Sequence, residues 1–141
     1  MSNTRTMLAM LALGATVAFA GPAFAEKMKA TLDGKSEVPA NTSAAKGTAD
    51  IDYDAATKKL TWTLTYSGLS GPATAAHFHG PAEPGKNAGV AVAIPNAGTS
   101  PVSGSATLTD AQAADLAAGK LYVNVHTAAN PGGEIRGQVT K

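Results

Sequence analysis

The stretch Leu60-Thr61-Trp62-Thr63-Leu64-Thr65-Tyr66 decides the fold. Apolar residues stand at every second position, with threonines between them. Successive side chains of a β-strand point to opposite faces, so this alternation makes a strand with Leu60, Trp62, Leu64 and Tyr66 on a buried side and threonine on the wet side. Just upstream, Thr48-Ala49-Asp50-Ile51-Asp52-Tyr53 repeats the period with Ala49, Ile51 and Tyr53 inward. The linking residues Asp54-Ala55-Ala56-Thr57-Lys58 are short and turn-like, which makes the pair a β-hairpin. Trp62 and Tyr53 belong to the core by this pattern.

Outward from the hairpin, the same period recurs in short pieces: 27–32, the strand around Ala76-His77-Phe78-His79, 90–94, 102–108, 121–126 and 134–139. Residues 33–46, 67–74 and 81–89 are rich in Gly, Pro and small polar residues and read as loops. One segment breaks the period. Thr109-Asp110-Ala111-Gln112 is a capping box, with Thr109 as N-cap and Gln112 three residues on. It opens a short helix near 110–118 that stops at Gly119. There is no repeat and no long helix. Many short strands closed by Gly/Pro turns predict an all-β, antiparallel sandwich or barrel of Greek-key type.

The N-terminus follows another logic. Arg5 precedes an apolar run from Met7 to Ala20, Gly21-Pro22 breaks it, and Ala23-Phe24-Ala25 has the small-x-small form of a cleavage site. Residues 1–25 read as a secretory signal peptide, with an apolar run too short for an anchor and no lipoprotein cysteine. The expected mature domain is 26–141, periplasmic or secreted, with no membrane insertion after cleavage. Its nine Lys and one Arg balance ten Asp and Glu. A neutral chain without a basic face or an aromatic-interleaved Arg/Lys run speaks against nucleic acid and anionic membranes as partners. A single domain of this length has a modest core. With no cysteine it folds without disulfides.

The chain has three histidines, His77, His79 and His126, all in two strand segments. Residues i and i+2 of a strand share a face, so His77 and His79 point the same way and Phe78 points with Ala76 into the core. In Leu121-Tyr122-Val123-Asn124-Val125-His126 the row Leu121, Val123, Val125 is apolar, which sets His126 with Tyr122 and Asn124 on the other face. If the two strands are neighbours, three imidazoles meet on the outer surface of the sheet. Three imidazoles with an open fourth position suit copper or zinc. With no thiolate and no carboxylate nearby, the donor set leans to copper, with zinc the alternative. Zinc hydrolase chemistry needs a positioned base, and the sequence offers none.

The segments Ala76-His77-Phe78-His79-Gly80-Pro81-Ala82, Leu121-Tyr122-Val123-Asn124-Val125-His126-Thr127 and Asn130-Pro131-Gly132-Gly133-Glu134-Ile135-Arg136-Gly137-Gln138-Val139 resemble the CHRD domain, the module named after chordin. The likeness runs from Lys29 to the end and implies an immunoglobulin-like β-sandwich. A second likeness is to copper–zinc superoxide dismutases, Greek-key sandwiches that hold copper with an HxH strand and a later histidine at a strand end. His77, His79 and His126 match those ligands in order, spacing type and facing. Arg136 resembles the arginine that lines the entrance to their copper. The chain has no bridging histidine, no zinc-ligand cluster and no disulfide, so this likeness implies a copper-only site.

The expected function is therefore copper-dependent dismutation of superoxide, a small-molecule substrate, with no protein partner indicated. The alternatives are a non-catalytic copper-binding or carrier protein, and a structural or adhesion module of the kind chordin implies. Under the first, His77, His79 and His126 are ligands and Arg136 offers a charged fork to the anion. Arg136 is equally a partner for Glu134 or a loop carbonyl. Lys86 adds steering or is simply solvated, and Glu134 either orients a histidine or closes a strand edge. Tyr122 and Asn124 line or support the site. Asn130-Pro131-Gly132-Gly133 shapes the turn that aims the loop after His126. Whether loop 81–89 leaves a fourth coordination position open separates an enzyme from a store.

Overall fold

A computed structural model describes residues 14–17 and 24–141. Most of the expected signal peptide, 1–13 and 18–23, lies outside the described residues. Among the described residues, no helix is long and apolar enough to cross a membrane. In chain order the elements are β1 (Glu26–Asp33), β2 (Lys46–Asp54), β3 (Lys59–Ser67), β4 (Ala73–His79), β5 (Val90–Ala93), β6 (Val102–Thr107), α1 (Asp110–Ala117), β7 (Tyr122–Thr127) and β8 (Ile135–Gln138).

The hairpin forms as the alternation requires. Leu60, Trp62 and Leu64 are buried while Lys59, Thr61, Thr63 and Thr65 face water. Ile51 lies opposite Trp62 and Ala49 opposite Leu64, so the buried rows of β2 and β3 stack across the pair. β1 adds beside β2, and β6 beside β3. Gly104 of β6 faces Trp62, and a Cβ there would stand 2.7 Å from Cζ2 of the indole. The bare backbone gives the largest core side chain room to lie flat.

The strands run in the order β5-β4-β7-β8-β1-β2-β3-β6, antiparallel throughout. Four strands separate β4 from β3 in that order. Even so, the rings of Phe78 and Trp62 sit with centroids 5.3 Å apart. The sheet is therefore folded over, and its two halves pack face to face around one core. The links β3–β4, β5–β6 and β6–β7 cross between the halves, which gives the Greek-key character. The expected antiparallel sandwich is there, with one addition: the halves remain hydrogen-bonded where Asp33 of β1 meets Arg136 of β8. They form one nearly closed sheet.

The helix keeps its signature. The Thr109 hydroxyl accepts from the Gln112 N–H, the Gln112 side chain accepts from the Thr109 N–H, and Leu116 is the buried residue of α1. Gly119 follows with a positive φ of 72° that stops the helix.

For the site, the decisive pairing is β4 with β7. Ala76, Phe78, Val123 and Val125 enter the core, so His77, His79, Asn124 and His126 take the opposite face. That face is less open than alternation alone suggests. Tyr122 and Asn124 are each 2% exposed, because the chain between β4 and β5 folds back over Tyr122 and the turn around Gly132 over Asn124.

Candidate metal centre

β4 and β7 bring the three histidines together by register. His77 lies opposite Asn124, His79 opposite Tyr122, and His126 opposite Ala75. His126 is thus diagonal to His77, a spacing that long side chains bridge. His77 Nδ1 and His126 Nε2 are 3.1 Å apart. One nitrogen from each ring falls within 4.8 Å of the other two. Nitrogens bound about 2.0–2.1 Å from one tetrahedral ion stand about 3.3 Å apart, so one pair is already at that spacing and small ring rotations bring in the third. Among the described residues, this is the group of donor side chains that converges in this way.

The far nitrogens are tied to backbone. His79 Nδ1 is 2.9 Å from the Ala88 carbonyl and His126 Nδ1 is 2.9 Å from the Pro131 carbonyl. A carbonyl only accepts, so each Nδ1 carries its proton and each Nε2 is an acceptor: that of His126 takes the His77 Nδ1 proton, and that of His79 has no partner. Both anchors are themselves fixed. The Tyr122 hydroxyl accepts from the Ala88 N–H and donates to the Ala88 carbonyl. Around the Pro131 anchor, Thr127 and Asn130 exchange backbone hydrogen bonds and Gly133 N–H donates to the Asn130 carbonyl. The Asn130-Pro131-Gly132-Gly133 turn thus aims His126, as its residues suggested.

Burial favours the neutral form of two of the rings. Burial first, then the neighbouring imidazoles, lowers the pKa of His77. Burial also dominates at His79 and lowers it, against the raising effect of the Ala88 carbonyl. Neutral imidazole is the form that binds a metal. His79 is 8% exposed, and its Nε2 has no hydrogen-bond partner among the described residues. His77 and His126 are half-buried, so the cluster is closed at His79 and open to solvent on its other side.

Arg136 is placed beside this site but turned away from its centre. Its guanidinium lies 3.5 Å over the Tyr122 ring, and Tyr122 in turn stacks on His79 with centroids 4.9 Å apart and planes 3° apart. Arg136 is 1% exposed and donates to the Lys86 carbonyl and to Asn87 Oδ1. It therefore clips loop 81–89 onto the sheet, the loop-carbonyl alternative read from the sequence. Lys86 is exposed on that loop. Glu134 does not touch a histidine. Its buried carboxylate accepts from Ser43, Ser70, Thr127 and Asn130 and binds three loops together. Burial pushes its pKa up, but the bonds from Ser70, Thr127 and Ser43 outweigh this and hold it at about 2.

One buried side chain beside the cluster has no sequence signal. Glu37, in the loop after β1, is 5% exposed and lies beside Asn124, in a cleft that Arg136 also lines. It stands among turn residues with no periodicity to fix its direction.

A metal fits this donor set. A buried Nε2 without a partner, in a group of three imidazoles of which two have their other nitrogen anchored, matches the ligand requirements of copper or zinc. A model of the CHRD domain family matches residues 28–139. No curated protein and no solved structure matches the chain.

Proposed function

The chain belongs to the CHRD domain family, and from that membership and the convergent imidazoles we propose a periplasmic or secreted copper protein that dismutes superoxide. The observation that supports the metal is the buried, unpartnered His79 Nε2 in a cluster with His77 and His126. Copper there supplies one-electron exchange, by which two superoxide anions and two protons give dioxygen and hydrogen peroxide. His79 and His126, held by the Ala88 and Pro131 carbonyls, keep their nitrogens on the centre with little reorganisation. The half-exposed edges of His77 and His126 leave a path for a small anion. Arg136 takes part as a positioning residue, since its donors hold the loop that anchors His79.

A second reading, a copper carrier without turnover, draws on the same Arg136, because its guanidinium is 1% exposed and bonded to the loop, away from any substrate. One experiment separates them. Purified protein is loaded with copper or with zinc, the bound ion is counted, and superoxide loss is compared with an equal amount of free copper. The proposal expects one copper per chain and catalysed loss. It also expects His126→Ala to weaken binding beyond the roughly 10–100-fold typical of losing an outer hydrogen bond. Tight copper without turnover selects the carrier; no stoichiometric metal rejects both.

A further inference from the structure

The polar network does not stop at the histidines. Asn124 of β7 is in register with His77 on one side and Arg136 on the other, so the three form a row across the sheet. The Asn124 side chain also bears on His79. Glu37 arrives from the distant loop between β1 and β2 and lies beside Asn124, in a cleft that Arg136 also lines. Gly133 makes the room. It has a φ of 126°, and a Cβ there would press into the Glu37 carboxylate and come within 2.6 Å of Asn124 Nδ2.

Burying a carboxyl without a full set of partners costs free energy. Among the described residues, Glu37 Oε1, Asn124 Oδ1 and His79 Nε2 are all buried and all without a hydrogen-bond partner. Three orphaned atoms in adjoining side chains, running from a carboxyl to an imidazole, make sense if a cation completes the patch. Three imidazoles bring no negative charge to a divalent ion, and Arg136 adds a positive one nearby. Glu37 is the carboxyl that faces this excess.

We propose that Glu37 is the outer carboxylate of the three-histidine site, steadying the Asn124 amide beside the histidines and balancing the charge of a bound cation. This rests on the metal reading above. The Arg136 charge of β8 acts on Glu37, and His79 of β4 lies beyond Asn124. Without a cation, burial pushes the carboxyl up to about 7, against the lowering effects of Arg136, Asn124 and the Val38 N–H. A cation beyond Asn124 favours the ionised form, so binding sends the Glu37 proton to solvent through the cleft lined by Pro39, Asn41, Pro131 and Gly133.

Zinc, being redox-silent, is the probe. Calorimetric titration at pH 7 in buffers of different ionisation enthalpy counts the protons released per zinc bound. A carboxyl with a pKa of about 7 is half protonated there, so the wild type should release about half a proton more than Glu37→Gln. The excess should vanish near pH 9, and Glu37→Gln should bind zinc about tenfold more weakly. Infrared difference spectra of the wild type alone give a second readout: zinc at pH 7 should remove a protonated-carboxyl band. Equal proton counts with one zinc bound per chain, or no loss of that band, overturns the role of Glu37 and leaves the metal site standing. No zinc bound to the wild type overturns the site and this inference together.

Discussion

Two buried glutamates of this chain behave in opposite ways, and the difference is their partners. Glu134 gathers hydrogen bonds from Ser43, Ser70, Thr127 and Asn130 and stays ionised. Glu37 lacks such donors, and burial wins. The sign of the pH effect follows. A carboxylate whose folded pKa is depressed adds stability that is present above its unfolded value and lost on acidification. For Glu134 that window runs from about 4.5 down to about 2. A shift of this size is worth on the order of 3 kcal/mol. Glu134→Gln should therefore be less stable than the wild type at pH 7, with the gap closing as the pH falls towards 2. Urea midpoints measured at several pH values check this, and a gap that does not change with pH contradicts it. Glu134 does not orient a histidine; its N–H continues the β8 edge onto the Val125 carbonyl, and its carboxylate takes donors from loops that a linear pattern does not bring together.

At the scale of elements, the strand pair β4–β7 and the turn after it build the site. Their periodicity was legible: Phe78, Val123 and Val125 go to the core and the histidines go to the other face. The capping box of α1 was equally plain, since a helix start is a local signal. What covers the outer face was not. A period of two assigns faces, but the burial of Tyr122 and Asn124 comes from loops with no period of their own, and Glu37 sits in one of them. The turn 127–133 offers a paired test. Gly133→Ala forces a Cβ into the Glu37 carboxyl at a positive φ and should cost about 1–3 kcal/mol. It should also weaken copper binding, because the Pro131 anchor of His126 lies in the same turn. Gly132→Ala, with nothing within 4 Å of the added carbon, should stay within about 0.5 kcal/mol of wild type. Thermal melts and copper titrations of both variants decide; equal effects from the two would refute the packing account.

Over the whole molecule, one sheet folds on itself through Trp62 and Phe78, and the histidine cluster straddles β4, β7 and the loops anchored to them. A small domain without disulfides has few other crosslinks. An ion that binds only the folded form adds about 2.7 kcal/mol at a hundred times its dissociation constant, so the melting temperature should climb with copper concentration. The sequence exposed the all-β class through the hairpin at 48–66. The continuous β8–β1 seam stayed hidden, because only two separate pairs, Asp33 with Arg136 and Lys29 with Thr140, mark it. The claim on which everything else depends is that His77, His79 and His126 hold one ion. Electron paramagnetic resonance of the protein loaded with one equivalent of Cu(II) tests it most directly. The account predicts a single copper signal with coupling to three imidazole nitrogens, losing one of them in each of His77→Ala, His79→Ala and His126→Ala. A signal like free copper, or one unchanged by all three substitutions, would contradict it.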